Sequence, residues 1–356
     1  VASSVNQNGD GTVTVQGAGF GPDSRVFFDG ARGTQAVFSG SDGQGSLTVL
    51  PPPGANGQTA AVTVYNSDGQ NSRIIASFPV PTYAYPATGA AQIFSVTPNA
   101  LPAGATAMVD IVTANMNLTD AQTTIGFGSD DVQVRRVWVL GPNHAIVNVA
   151  VAANANTAQS EVSVISGMQT ALAPNAFQTL PARSGVPVVA AAAPTDLTQQ
   201  TATLFGSNLA GAQVWLNDNP VGVLFSNATQ INFLMPGGLT PGPETLRVTT
   251  SAGTAFPVAI QIDAAPPVIT GANSIASPGD LIQITVSGLD SALATNPQGR
   301  LRVTASGVDL GIQGITSAGS GYQITAAVTQ SFGSQQVPLV VWADSTPSAP
   351  VTITIR

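Results

Sequence analysis

Apolar and polar residues alternate along this chain in short runs, and turn residues interrupt the runs at regular intervals. Val13-Thr14-Val15-Gln16 is one run, Leu47-Thr48-Val49-Leu50 another, Val62-Thr63-Val64-Tyr65 a third. A period of two puts every second side chain on one face, the pattern of a half-buried β-strand. Gly17-Ala18-Gly19, Pro51-Pro52-Pro53 and Asn66-Ser67-Asp68-Gly69 close these runs. Strands of about five residues, with turns every ~8–12 residues, predict β-sandwiches. The pattern contains no amphipathic helical period.

The runs group into four units, which predicts an all-β fold of tandem immunoglobulin-like sandwiches in an extended rod. The expected domains are 1–82, 86–183, 185–265 and a divergent 266–356. The first contains the strands above, a strand and turn at Val26-Phe27-Phe28-Asp29-Gly30, and a last strand over residues 74–80. The second opens on Ile93-Phe94-Ser95-Val96 and includes the charge-free run Ala145-Ile146-Val147-Asn148-Val149-Ala150-Val151. The third carries Val214-Trp215-Leu216 before an Asn217-Asp218-Asn219-Pro220 turn. The fourth has its clearest strands near residues 281–286, 301–304, 321–328, 337–342 and 351–355. A repeat near 90 residues indicates tandem domains rather than a solenoid. The linkers, at residues 81–89, 180–187 and 263–267, are short and contain proline, which limits bending.

The first unit resembles the IPT/TIG immunoglobulin-like domains. The residues that carry the resemblance are Gly17-Ala18-Gly19-Phe20, Val26-Phe27-Phe28-Asp29-Gly30, Leu47-Thr48-Val49-Leu50-Pro51 and Val62-Thr63-Val64-Tyr65-Asn66-Ser67-Asp68-Gly69. The second unit resembles the family more loosely, through Phe94-Ser95-Val96-Thr97-Pro98 and Ile125-Gly126-Phe127-Gly128. The third, with Gln230-Ile231-Asn232-Phe233-Leu234-Met235-Pro236, is similar to tandem domains of large extracellular proteins from Acidobacteria and their relatives. The resemblance implies a fold and no single function, because such domains occur in receptors, adhesins, polysaccharide-degrading enzymes and DNA-binding regulators.

Composition narrows the functional classes. Charged residues are only 8% of the 356, and the formal net charge is −8. All ten basic residues are arginine, so no lysine-based side-chain crosslink can form. An acidic chain without a basic face argues against nucleic acid and against docking on anionic membrane. No apolar run approaches the ~18 residues of a membrane-spanning helix. Cysteine is absent, which removes disulfides and thiol chemistry. The chain begins at Val1 with no signal-peptide pattern, as expected of a processed product. Low charge and sheets rich in Thr, Ser, Asn and Gly point to a bacterial secreted or cell-surface protein.

Little catalytic chemistry is available. His144 is the only histidine, at the edge of a strand, so neither a His/Cys metal cluster nor a Cys–His pair can be built. Most of the acids, among them Asp29, Asp42, Asp68 and Asp218, fall in turns, and Glu244 follows Pro241-Gly242-Pro243. The protein is therefore expected not to be an enzyme. Calcium is the one metal reading: Asn6, Asn8 and Asp10 offer oxygens at alternate positions, like the start of a calcium loop, without its closing glutamate. Asp130-Asp131 is a second, weaker calcium candidate. Trp138, Trp215 and Trp342 each lie between apolar neighbours, and the expectation is that each is a core residue of its own sandwich, as buried tryptophans commonly are. Tyr83 and Tyr85, beside Pro81 and Pro86, either pack an interdomain joint or form a small ligand platform. The Arg135-Arg136 doublet reads as an interdomain salt bridge.

Two functional classes follow. The first is a structural or adhesive surface protein, possessing a face or edge for self-association or for other surface proteins in an array or filament. The second is a carbohydrate-binding or spacer region of a secreted polysaccharide-processing protein. The uncharged runs at residues 145–151 and 337–342, and the terminal run 351–356, read first as central strands of their own sheets; as unguarded edges they would recruit partners and support the first class. An aromatic strip on a solvent face would favour the second.

Overall fold

The computed structural model describes residues 1–41, 44–73, 80–87, 89–120, 122–289, 293–294, 300–344 and 346–356. The last strand expected for the first unit falls on 74–79, outside the described residues, as does Asp42. The chain is all-β and forms two compact units, one of Val1–Thr195 with Gln199–Ile262, the other of Asp196–Thr198 with Asp263–Arg356.

Three sandwiches make up the first unit. In the first sandwich, Ala2–Gln7, Val13–Ala18, Gln44–Leu50 and Thr34–Ser41 form one sheet in that order. Ala31–Arg32, Arg25–Phe28, Thr59–Tyr65 and Thr82–Ala84 form the other. The alternating positions Val13, Val15, Leu47 and Val49 meet Val26, Phe28, Val62 and Val64 in one core. Residues 81–89 are thus not simply a linker: Ala60 pairs with Tyr83, so the chain adds an edge strand before it leaves the sandwich.

The second sandwich sets the sheet Val132–Gly141, His144–Val151, Thr106–Ala114, Gln92–Thr97 against Ala100–Pro102, Gln169–Leu180, Ala158–Ser166, Thr123–Gly126. Its core contains Val109, Ile111, Val147, Val149, Val162 and Val164. Phe127 and Phe177 meet there edge to face, 4.8 Å apart. In the third, Val188–Ala192, Thr201–Ser207, Gln230–Leu234 and Val223–Ser226 face a sheet that includes, in order, Val258–Asp263, Gly242–Thr250, Gln213–Leu216 and Asn219–Val221. Leu204, Ile231, Phe233, Leu216, Leu246 and Val248 fill the space between them.

The second unit wraps one continuous sheet around a single core. Its order is Val268–Ala272, Leu281–Ser287, Gly321–Ala327, Val308–Ala318, Leu301–Ala305, Gln335–Ala343, Val351–Ile355, Ile275–Ala276. The long strand Val308–Ala318 pairs with Leu301–Ala305 through its first residues and with Gly321–Ala327 through the rest. A register break between Ile312 and Gly314 falls just after the change of partner, within the half paired with Gly321–Ala327.

This topology decides between the two readings of the uncharged runs, in favour of central strands. The strand His144–Val151 is central, with Thr106–Ala114 on one side and Val132–Gly141 on the other. Gln335–Ala343 is likewise paired on both sides, and Val351–Ile355 lies between it and Ile275–Ala276. The first two runs lack charge because they have neighbours in their own sheets, whereas on the side of Ile275–Ala276 the terminal run is paired only at Thr354 and Ile355.

Candidate functional site

Trp138 defines the first of two surfaces that the fold builds from outward-facing residues. On Val132–Gly141, alternation sends Val137 and Val139 to the core of the second sandwich and Trp138 to the opposite face. Ile146, its cross-strand partner, faces the same way. In the third sandwich, Val258, Ile260 and Ile262 enter the core, so Ala259 and Gln261 point out. The two outer faces meet. Trp138, 7% exposed, packs with Ile146, Ala259 and Met108. Its Nε1 donates to Gln261 Oε1 at 2.7 Å. Asn148 grips the backbone of Ala259 twice: Nδ2 donates to its carbonyl at 2.7 Å, and Oδ1 accepts from its N–H at 2.9 Å. The Met108 N–H donates to the Pro257 carbonyl at 2.6 Å. A small residue at 259 lets the strands approach, and each polar group drawn into the joint has a partner.

The first and second sandwiches are joined differently, through the turn at Gly167-Met168. The Met168 N–H donates to the Pro53 carbonyl at 2.7 Å, and Met168 packs on the core of the first sandwich. Gly167 has φ +57°, and a Cβ there would lie 2.5 Å from the Pro53 carbonyl oxygen. Both facts demand glycine. Gln122 Nε2 also donates to the Arg32 carbonyl at 3.2 Å.

Beside this joint lie Tyr83 and Tyr85, 8% and 9% exposed, with ring centroids 4.7 Å apart. Tyr83 also meets Phe28 edge to face. Both belong to the core of the first sandwich, and Tyr85 lies so close on Gly54 that a Cβ there would be 2.3 Å from its ring. They therefore do not form an open platform, although both line a cleft of about 480 Å³ whose far wall includes Asn115, Asn143 and Gln169. The Tyr85 hydroxyl is buried without a hydrogen-bond partner among the described residues, and burial raises its pKa strongly, with the neighbouring Tyr83 and Asp29 adding to the effect.

A second surface lies on the outer face of the first sandwich. Arg25 and Phe27 alternate with the buried Val26 and Phe28, and their cross-strand partners are Tyr65 and Thr63. The Phe27 and Tyr65 rings meet edge to face, 5.3 Å apart. Tyr65 is 41% exposed. With Asp29, Asn66 and Arg73 these residues line a cleft of about 710 Å³. This is the aromatic solvent face that the three tryptophans do not supply jointly, and the sequence reading missed it. Its signal was present: Arg25, Phe27, Thr63 and Tyr65 are the off-core positions of two strands whose core positions are plain.

The remaining candidates are dispersed. Asn6 donates to Ser4, Asn8 to Thr12 and Thr14, and Asp10 accepts from the Thr12 N–H and hydroxyl. Those Thr12 bonds lower the Asp10 pKa. A calcium ion there would have to displace these bonds. The Asp131 N–H donates to Ser129 Oγ. No group of three or more His, Cys, Asp or Glu suited to a metal occurs among the described residues. His144 pairs with Asp110 at 2.7 Å. Glu244 is buried at the start of a strand rather than solvated in a turn, and Asn217 donates to it. The tryptophans are not core residues of their own sandwiches. Trp215 and Trp342 are half-buried on outer faces beneath Arg247 and Arg302, at 4.7 and 5.7 Å. Arg136 lies 5.0 Å over Trp138. Arg135 and Arg136 are both exposed, because a bulge between Val134 and Arg136 breaks the alternation. Neither makes an ion pair among the described residues.

The sequence model of the IPT/TIG domain matches residues 2–78, the span of the first sandwich. No curated protein matches the chain. Among solved structures, SGBP-B of a Bacteroides ovatus mixed-linkage glucan utilization locus, in complex with a mixed-linkage heptasaccharide, is 12% identical. The alignment covers 76% of this chain and 71% of that one, with a TM-score of 0.26. Domains 4–9 of the surface layer protein SbsC are 15% identical over all of this chain and 64% of that one, TM-score 0.25. The plexin A4 extracellular region is 12% identical over 97% of this chain and 36% of that one, TM-score 0.25. The chain spans about a third of the plexin chain and just under two thirds of the surface-layer fragment. The architecture is a tandem of immunoglobulin-like β-sandwiches. No helix among the described residues is long and apolar enough to cross a membrane.

Proposed function

We propose that the chain is a non-catalytic, secreted or surface-exposed bacterial protein whose tandem sandwiches act as a structural or adhesive spacer. The observation that carries this reading is the joint between the second and third sandwiches. A buried tryptophan and an asparagine bonded twice to one backbone residue fix their relative placement, as a spacer requires and a loose tether does not. Composition supports the rest: one histidine, no cysteine, and acids spent in turns leave little for catalysis. The IPT/TIG character of the first sandwich fits, and we extend it to the second on the looser motif there.

Hydrogen exchange tests the reading. The Ala259 and Met108 amides, both donors in the joint, should exchange as slowly as central strand amides. Exchange at the rate of an open linker would overturn it. The cleft beside Phe27 and Tyr65 favours a second reading, in which the first sandwich binds carbohydrate and the others present it.

A further inference from the structure

Three of the sandwiches carry the same device on strands that end in the same kind of turn, and among the described residues one of them leaves its arginine without a carboxylate partner. In the first, third and fourth, a short strand ends in a two-residue turn with both residues at positive φ: Asp29-Gly30, Asn217-Asp218 and Ser306-Gly307. Such turns match the twist of a hairpin. The outer face of that strand and its neighbour holds four residues. In each case they include an arginine and an aromatic ring directly opposite one another: Arg25 with Tyr65, Arg247 with Trp215, Arg302 with Trp342.

In the third and fourth sandwiches the patch satisfies itself. Arg247 lies over the Trp215 ring and has Asp218 Oδ1 at 3.7 Å. Arg302 lies over Trp342 and pairs with Asp309 at 2.9 Å. Trp342 Nε1 donates to Thr304 Oγ1 at 3.3 Å. Ring and charge are each covered.

The first sandwich departs from this at every point. Arg25 has no carboxylate within ion-pair reach among the described residues, and neither has Arg73 across the same cleft. Asp29, the acid among the described lining residues, spends its oxygens on the Ala61 N–H and on Gln58 Nε2. Asn66 is likewise committed, to Gly19 and Ser24. What remains is two aromatic rings and two unneutralised guanidinium groups around about 710 Å³, on a chain of net charge −8.

We infer that this cleft binds an acidic oligosaccharide, a chain of pyranose rings bearing carboxylate or sulfate groups. A pyranose presents a flat C–H face to an aromatic ring, and its anionic groups match the planar fork of arginine. A neutral sugar would use the rings and leave both charges unanswered. The inference rests on the second reading above and names its ligand class and its residues.

Calorimetric titration of the full chain tests it, with tetragalacturonate, a chondroitin sulfate tetrasaccharide and neutral cellotetraose as probes. One or both acidic probes should bind, the one that binds identifying the anionic group, and cellotetraose should bind at least about tenfold more weakly. Tyr65→Ala and Arg73→Gln should each reduce affinity about tenfold, and added salt should weaken binding. Arg302→Gln, in the closed patch, should change nothing. Arg73 is an exposed turn residue, so its variant stays informative even where Tyr65→Ala fails to fold. The inference is overturned if neither acidic probe binds at millimolar concentration, if cellotetraose binds equally well, or if folded variants retain full affinity. Any of these results leaves the joint, and the spacer reading built on it, untouched.

Discussion

Replacing Trp138 with alanine should open the joint between the second and third sandwiches without unfolding either. A buried tryptophan removes about 200 Å² from water. At about 25 cal/mol per Å² this corresponds to about 5 kcal/mol as an upper bound. Part of the ring rests on Ile146 and Met108 of its own sandwich, so we assign about half of the burial to the contact with Ala259. The lost hydrogen bond to Gln261 adds about 1 kcal/mol. The joint should weaken by up to about 3.5 kcal/mol, on the order of 300-fold in its opening constant. Hydrogen exchange read by mass spectrometry reports that constant directly when closing is fast. Exchange at the Ala259 and Met108 amides should accelerate by that factor, while Val147 and Val149 in the core keep their protection. Trp215→Ala is the control. It removes a ring covered by Arg247 and a cation–π contact of about 0.5–1 kcal/mol, and touches no joint. If the two variants change Ala259 exchange equally, or if Trp138→Ala melts the second sandwich, the assignment of Trp138 to the joint is wrong.

Tyr85 should make the first sandwich sensitive to alkali. Its folded pKa is raised above the ordinary 10.0, so the neutral phenol contributes stability that is complete below that value and is lost as pH rises beyond it. Phenolate absorbance should show one tyrosine ionising only with unfolding, and Tyr85→Phe should abolish that phase. Asp10 runs the other way. Its pKa is lowered from 3.8, so the Thr12 turn should persist above that value and loosen as pH falls below it, read from the Thr12 amide resonance. Calcium chloride should produce no binding heat and no rise in melting temperature, because Asn8 and Asp10 are already bonded to Thr12. Measured by light scattering, the chain should stay one size as concentration rises, since the uncharged strands at residues 145–151 and 337–342 are central in their sheets. A broad panel of glycans and esters should show no turnover, and turnover abolished by mutating an Asp or Glu would reverse that reading.

The strands were legible because each carries its own evidence. Val13 and Val15, Leu47 and Val49, and Val62 and Val64 announce a buried face at period two, and Asp29-Gly30 announces a turn. What failed were the features that depend on a partner distant in sequence. Trp138 has valines on both sides, so alternation fixes two faces without saying which is the core. The answer comes from Ala259, more than a hundred residues away. The Arg135-Arg136 doublet reads as an interdomain salt bridge, and a bulge that no local residue advertises exposes both side chains instead. Thr82–Ala84 is too short to show a period, so Tyr83 read as linker until its pairing with Ala60 placed it in a sheet.

The same distinction explains how so few charges can serve this chain. Sheet edges are commonly guarded by lysine, and the chain has none. In the first unit, neighbouring sandwiches take over part of that work. The Thr106–Ala114 strand runs beyond Gln92–Thr97, which begins pairing only at Asp110, and the Met108 N–H donates to Pro257 of the next sandwich. The Ala259 N–H and carbonyl, on Val258–Asp263, bond to Asn148 rather than to another strand. Backbone groups that would template a foreign strand are occupied by the joint, and an uncharged side chain suffices to hold them. Arginines can then serve outer faces: among the described residues Arg25, Arg136, Arg247 and Arg302 lie beside aromatic residues. Asn148→Ala examines this directly. It strips both partners from Ala259 and removes no apolar contact, so exchange at Ala259 should rise while the second core stays intact. If the substituted chain also begins to self-associate with concentration, the joint is what keeps this edge from recruiting strands. If exchange at Ala259 is unchanged, the edge is protected by something other than Asn148.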